Sequence, residues 1–193
     1  MMRAAQTGGR LRIIGGSLRG SKLDVPNAQG LRPTPDRVRE TLFNWLMPVI
    51  DGARCLDLFA GTGALGIEAL SRGAAAVDFV ESDAQLAALL RANLSRLKQT
   101  ATVHAMSASR FIESAHDGYD IVFVDPPFAE NLWESTMAAI EAKSLLAETA
   151  WIYVESPAEH FIASPAHWQI HRERRAGAVR YALYRRVMPS AKL

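Results

Sequence analysis

At 193 residues, 49% of them apolar, the chain is long enough for one domain with a sizeable core and too short for two full ones. The single cysteine, Cys55, excludes an intrachain disulfide, and no stretch approaches the roughly 20 apolar residues of a membrane-spanning helix, so the expectation is a cytoplasmic protein with no membrane partner. The formal net charge of +2 is unevenly spread: residues 1–40 hold eight Lys or Arg against three Asp or Glu, a balance that suits a polyanion or a solvated arm equally well.

Residues 11–25 read as a short β-hairpin, with Leu11, Ile13 and Ile14 on one arm and Leu23 and Val25 on the other. A division follows into a basic arm and hairpin over residues 1–30 and a main domain over 31–193. Thr34 as N-cap and Pro35 at the first helical position introduce a helix over 35–47, on which Val38, Leu42, Trp45, Leu46 and Val49 recur at helical spacing. From residue 53 short apolar runs alternate with amphipathic segments, the pattern of a parallel sheet with crossover helices. Strands are expected near 53–58, 76–81, 101–105, 119–124 and 149–155, and helices near 63–72, 83–98, 107–115 and 131–143. Ser82 and Gln85 have capping-box spacing before a stripe of Leu86, Leu89, Leu90, Leu94 and Leu97. Runs at 167–175 and 178–187, parted by Ala176 and Gly177, predict an antiparallel hairpin at the end of the sheet.

Two motifs carry chemistry. Asp57-Leu58-Phe59-Ala60-Gly61-Thr62-Gly63-Ala64-Leu65-Gly66 sits where the first parallel strand turns into its helix, and its glycines let backbone approach a ligand closely. Glu81 ends the next strand, placed to accept both hydrogen bonds of a ribose diol. A dinucleotide would meet the same features, but Asp57 would set a carboxylate against its pyrophosphate, a repulsion of about 4 kcal/mol at 4 Å in a surface-like dielectric. S-adenosylmethionine brings an ammonium and a sulfonium instead, so Asp57 favours the methyl donor.

The second motif, Asp125-Pro126-Pro127-Phe128, directly follows the apolar run Ile121-Val122-Phe123-Val124. Two prolines stiffen the loop and donate no hydrogen bonds, so it presents acceptors, the Asp125 carboxylate and the Pro126 carbonyl, in fixed positions. Acceptors of this kind hold the N–H bonds of an exocyclic amine and aim its lone pair, while Phe128 stacks on a base turned out of its helix. An ordinary turn with an incidental phenylalanine would account for this motif alone.

Asp57 to Gly66, Glu81 and Asp125 to Phe128 resemble the cofactor and catalytic motifs of amino-methyltransferases. Residues Gly30-Leu31-Arg32-Pro33-Thr34-Pro35-Asp36-Arg37-Val38-Arg39-Glu40-Thr41-Leu42-Phe43-Asn44-Trp45-Leu46 closely resemble the bacterial RsmD family of 16S ribosomal RNA guanine-N2 methyltransferases, as do Arg12 to Gly16 and Ile152-Tyr153-Val154-Glu155. The resemblance implies a Rossmann-like α/β methyltransferase fold with a seven-stranded, mostly parallel sheet, an antiparallel C-terminal hairpin and a small N-terminal β-hairpin. It implies that Glu81, with Ser82 beside it, takes the ribose, that Asp57, Phe59, Gly61 and Gly63 take the methionine end, and that Asp125 and Pro126 take the target amine. Where the family carries Asp or Asn for the adenine amino group this chain has Ser107, next to Ala108, whose backbone would serve the ring. Arg10, Arg12, Arg19, Lys22, Arg32 and Arg37 are the expected RNA contacts, to 16S ribosomal RNA free or in an assembling small subunit. No metal is expected, because the histidines lack ligand spacing. The competing readings are an adenine-N6 or protein-glutamine methyltransferase, a non-catalytic RNA-binding assembly factor and, more distantly, a dinucleotide oxidoreductase.

Overall fold

The alternation from residue 53 onward is realised as a seven-stranded sheet in a computed structural model that describes residues 7–26, 34–115 and 118–187. In chain order the elements are β1 (Thr7–Arg12), β2 (Lys22–Pro26), α1 (Asp36–Leu46), β3 (Arg54–Asp57), α2 (Ala64–Ser71), β4 (Ala76–Val80), α3 (Ala84–Arg96) and β5 (Thr102–His104). They continue with α4 (Ala108–Ser114), β6 (Tyr119–Val124), α5 (Trp133–Ala142), β7 (Leu146–Pro157), β8 (Trp168–Ala176) and β9 (Val179–Arg186). Strand order in the large sheet is β5-β4-β3-β6-β7-β9-β8. The five strands β3 to β7 are parallel, and β9 enters antiparallel between β7 and β8. Because the chain runs outward from β3 to β5 and then returns to β6, the order reverses between β3 and β6. Open α/β sheets bind ligands in the crevice outside the carboxyl ends at that point.

Alternation along the strands divides the core into two faces. On one, Cys55, Phe79, Ile121, Phe123, Tyr153 and Leu183 pack under α1, α2, α3 and the hairpin; on the other, Leu56, Val80, Val122, Val124, Ile152 and Ala182 pack under α4 and α5. Burial pushes the Cys55 thiol far up, as suits an inert core residue.

The hairpin shares the first core, contributing Leu11, Ile13, Leu23 and Val25. Its first arm is Thr7–Arg12, so Ile13 and Ile14 lie in the connection and not in the strand expected over them. Glu68 explains why that connection is fixed: its carboxylate accepts from the Ile14 and Gly15 N–H groups at 2.9 and 2.8 Å and is paired with Arg72 at 2.8 Å.

Two helix starts differ from expectation. Pro35 occupies the N-cap position of α1, and the Thr34 hydroxyl turns away from the helix toward two carboxylates. Asp83, not Ser82, caps α3, its Oδ1 accepting from Gln85 and Leu86 at 2.8 and 2.9 Å, and Ser82 is exposed. The buried positions of α3 are Ala87, Leu90, Asn93 and Leu94, with Leu86, Leu89 and Leu97 half-buried.

Candidate active site at the carboxyl ends of the strands

Asp57, Glu81 and Asp125 stand at or just past the ends of β3, β4 and β6, three neighbouring strands, so the sheet gathers the carboxylates picked out in the sequence at one rim. The loop after β3 is held by its own backbone: Gly63 N–H donates to Ala60 at 2.7 Å, and Ala60 N–H donates to Val80 at 2.9 Å. Gly63 adopts φ +81, where a Cβ would also lie 2.3 Å from Leu90, and a Cβ on Gly66 would meet the Phe79 ring at 2.2 Å. These glycines therefore serve the turn and the helix packing behind it.

Asp57 lies beneath this loop, 2% exposed, with Oδ2 accepting from Gly66 N–H at 2.9 Å. Burial, reinforced by the charge of Glu81, pushes its carboxyl up to about 7 against the pull of the Gly66 hydrogen bond. Glu81 bridges the loop to the next helix, accepting from Gly61 N–H and Asp83 N–H, both at 2.8 Å. Phe59 is half-buried on the α4 side. Ser107 is exposed and caps α4, its hydroxyl accepting from Arg110 N–H at 3.3 Å, with Ala108 opening the helix.

Asp125 is half-buried, Pro126 buried and Pro127 exposed. Phe128, 40% exposed, opens a short 3-10 turn, its ring edge-on to Trp133 at 5.6 Å. Burial and the charges of Glu155 and Asp57 hold the Asp125 carboxyl well above the usual range.

Three residues beside Asp125 were not identified as functional from the sequence. Glu155, 6% exposed on β7, is within reach of the Thr34 hydroxyl at 3.3 Å and accepts from the Tyr153 hydroxyl at 2.9 Å, while Thr34 lies 3.5 Å from Asp125. Trp133 fixes the Glu155 backbone, donating from Nε1 to its carbonyl at 2.7 Å. Thr34, Tyr153 and Glu155 did appear in the family resemblance, but contacts between residues 91 and 121 positions apart leave no local signal of a role.

Among the described residues no Lys, Arg or His pairs with Asp57, Glu81, Asp125 or Glu155. Carboxylates crowded at one rim without countercharge fit a cationic ligand. The expected RNA contacts lie elsewhere. Arg10 is 3.8 Å from Asp24, and Arg12 and Arg19 line a cleft of about 250 Å³ with Asp36 and Glu40. Lys22 and Arg37 are exposed, and Arg32 lies outside the described residues.

Known proteins resemble the chain over nearly its whole length. A family model described as conserved hypothetical protein 95 matches residues 11–185. Ribosomal RNA small subunit methyltransferase D of Escherichia coli K12 is 52% identical over 180 residues, covering 92% of this chain and 91% of its own. The protein of the same name from Haemophilus influenzae is 45% identical, covering 91% of this chain and 94% of its own. The solved structure of Escherichia coli yhhF, a proposed methyltransferase, superposes with a TM-score of 0.87 at 49% identity, over 94% of this chain and all of that one. The fold, the rim of carboxylates and these matches agree: the chain belongs to the RsmD family of ribosomal RNA small subunit methyltransferases.

Proposed function

We propose that the protein transfers a methyl group from S-adenosylmethionine to the exocyclic N2 amine of a guanine in small-subunit ribosomal RNA, free or within an assembling subunit. Such a substrate implies a cytoplasmic enzyme. The observation that carries the reading is Asp125-Pro126 following β6 at the same sheet rim as Asp57 and Glu81, in a chain half identical to ribosomal RNA methyltransferases.

When bound, S-adenosylmethionine supplies a methyl group made electrophilic by its sulfonium. Asp57, beneath the glycine loop, would offset the donor's positive charge, Gly61 and Gly63 would give backbone access, Glu81 and Ser82 would take the ribose, and Ser107 and Ala108 the adenine. The Asp125 carboxylate and the Pro126 carbonyl accept the two amine N–H bonds, and Phe128 stacks on the base. The nitrogen lone pair forms the N–C bond as the C–S pair returns to sulfur, so positive charge moves to nitrogen next to Asp125. Asp125, whose proton affinity is raised by burial and Glu155, then takes the surplus amine proton and releases it to solvent. Nucleosides from ribosomal RNA of cells lacking the gene should lose one N2-methylguanosine by mass spectrometry. The wild-type gene should restore it and Asp125→Ala should not; an unchanged nucleoside profile would overturn the proposal.

A further inference from the structure

The overall charge conceals a second basic pole. Residues 168–187, the C-terminal hairpin, hold six Arg against one Glu, while residues 41–167 hold seven Lys or Arg against sixteen Asp or Glu. We propose that the face formed by Arg172 and Arg174 on β8, Arg185 on β9 and Trp151 on β7 binds phosphates of the substrate RNA, at the sheet edge opposite the N-terminal hairpin. The proposal rests on the ribosomal RNA reading above and concerns how the RNA is held.

Register puts these side chains on one face. Arg172 lies opposite Leu183, Arg174 opposite Tyr181, and Arg185 opposite Trp151. Leu183 and Tyr181 belong to the core that includes Phe123, and alternation carried one residue past β6 puts Asp125 on that same face. The strip also reaches the catalytic rim. Asp125 follows Val124, which pairs with Val154; Glu155 pairs with Tyr181, and Tyr181 with Arg174. Arg174 is thus three strands from Asp125 in one row, about 14 Å at the usual strand spacing.

The chemistry fits a polyanion. Among the described residues Arg172 and Arg174 have no acidic partner, whereas the neighbouring Arg175, Arg180 and Arg186 pair with Glu159, Glu173 and Glu141. Trp151 is half-buried, with the Arg185 guanidinium 5.7 Å from its ring and His171 edge-on at 4.9 Å. Exposed guanidiniums on one face, one of them held over an indole, suit phosphate contacts. By contrast, the basic residues of the N-terminal hairpin have Asp24, Asp36 and Glu40 close by. Charges on an edge strand also deter sheet-to-sheet pairing, which accounts for Arg172 and Arg174 on β8 but not for Arg185 and Trp151 on inner strands.

The test compares the full chain with the triple variant Arg172→Ala, Arg174→Ala, Arg185→Ala and with the matching Arg→Lys triple. Binding to naked small-subunit RNA is measured across a salt series, and methyl transfer at about 0.15 M salt, where screening resembles that in cells. The alanine triple should flatten the slope of log affinity against log salt by roughly 0.7 to 0.9 per lost contact, about 2 to 3 in all. Its KM for RNA should rise at least tenfold, the lysine triple should recover most of the slope, and S-adenosylmethionine affinity should not move. Equal affinities with parallel salt lines would overturn the proposal and leave only protection of the edge. A defect seen on protein-bearing subunits but not on naked RNA would also overturn it, since the face would then meet a ribosomal protein. If the wild type methylates no RNA yet binds it through this strip, the reaction assignment fails and the strip stands.

Discussion

Thr34 has one hydroxyl hydrogen and two carboxylates competing for it, Glu155 at 3.3 Å and Asp125 at 3.5 Å. Its hydrogen bond lowers both carboxyls, which burial raises. Thr34→Val should therefore push Asp125 further up. If ionised Asp125 holds the amine, the acid limb of kcat against pH moves upward, and activity measured on that limb falls by up to about tenfold for each pH unit it moves, recovering at higher pH. A uniformly low profile, or an unchanged one, would separate Thr34 from the ionisation of Asp125. Asp57 makes the corresponding prediction for the methyl donor. With its carboxyl near 7, a cation that prefers the ionised form should bind more weakly as pH falls through 7, by up to about tenfold per pH unit, and release protons on binding in calorimetry. The same displacement acts against stability: a folded-state value above the unfolded one favours the fold below about pH 4, and that advantage is lost as pH rises through 7. Asp57→Asn keeps an acceptor for Gly66 and removes the buried charge. It should raise the Tm of the free protein at pH 8 by roughly 2 to 8 °C while weakening S-adenosylmethionine binding; a lower Tm would mean the carboxylate stabilises the loop.

At the scale of elements, Glu68 turns the N-terminal hairpin from an arm into part of the body, because its carboxylate satisfies two backbone N–H groups of the connection. If Arg10, Arg12, Arg19 and Lys22 meet RNA phosphates, replacing all four with alanine should flatten the salt dependence of RNA binding by roughly 0.7 per lost contact and leave the methyl donor's affinity alone. Superimposable salt lines would leave the hairpin a purely structural role. The strand and helix order, the glycine loop and the Asp125 loop are legible in the sequence because each is written in local periodicity or adjacent residues. Helix starts are less so: Ser82 and Asp83 are both capping residues, and only the side chain that reaches Gln85 and Leu86 decides between them. Thr34 has the residue type of a cap, but a partner 121 residues away claims its hydroxyl. The basic C-terminal hairpin is hidden for another reason, since counting charge over all residues after 40 cancels it against the acidic body.

For the whole molecule, the makeup of the core bears on cooperativity: Leu11, Ile13, Leu23 and Val25 are buried together with Leu42, Phe43 and Leu90. Calorimetry should show a single unfolding transition. Deleting residues 1–26 should lower the Tm steeply, because four core side chains go and Glu68 loses two hydrogen bonds in a buried setting; two separate transitions, or a truncated protein of unchanged Tm, would make the hairpin an independent unit. Strand order has a consequence in time as well as space. β9 is synthesised after both of its neighbours, yet it lies between β7 and β8 and carries Tyr181, opposite Glu155. While its own ribosome is still translating residues 179–186, the nascent chain has β7 with an open edge and β8 with nothing to pair to. Closure of the sheet thus waits on residues 179–186, and a chain stalled before them would display an unsealed sheet to chaperones and proteases in place of a finished active site.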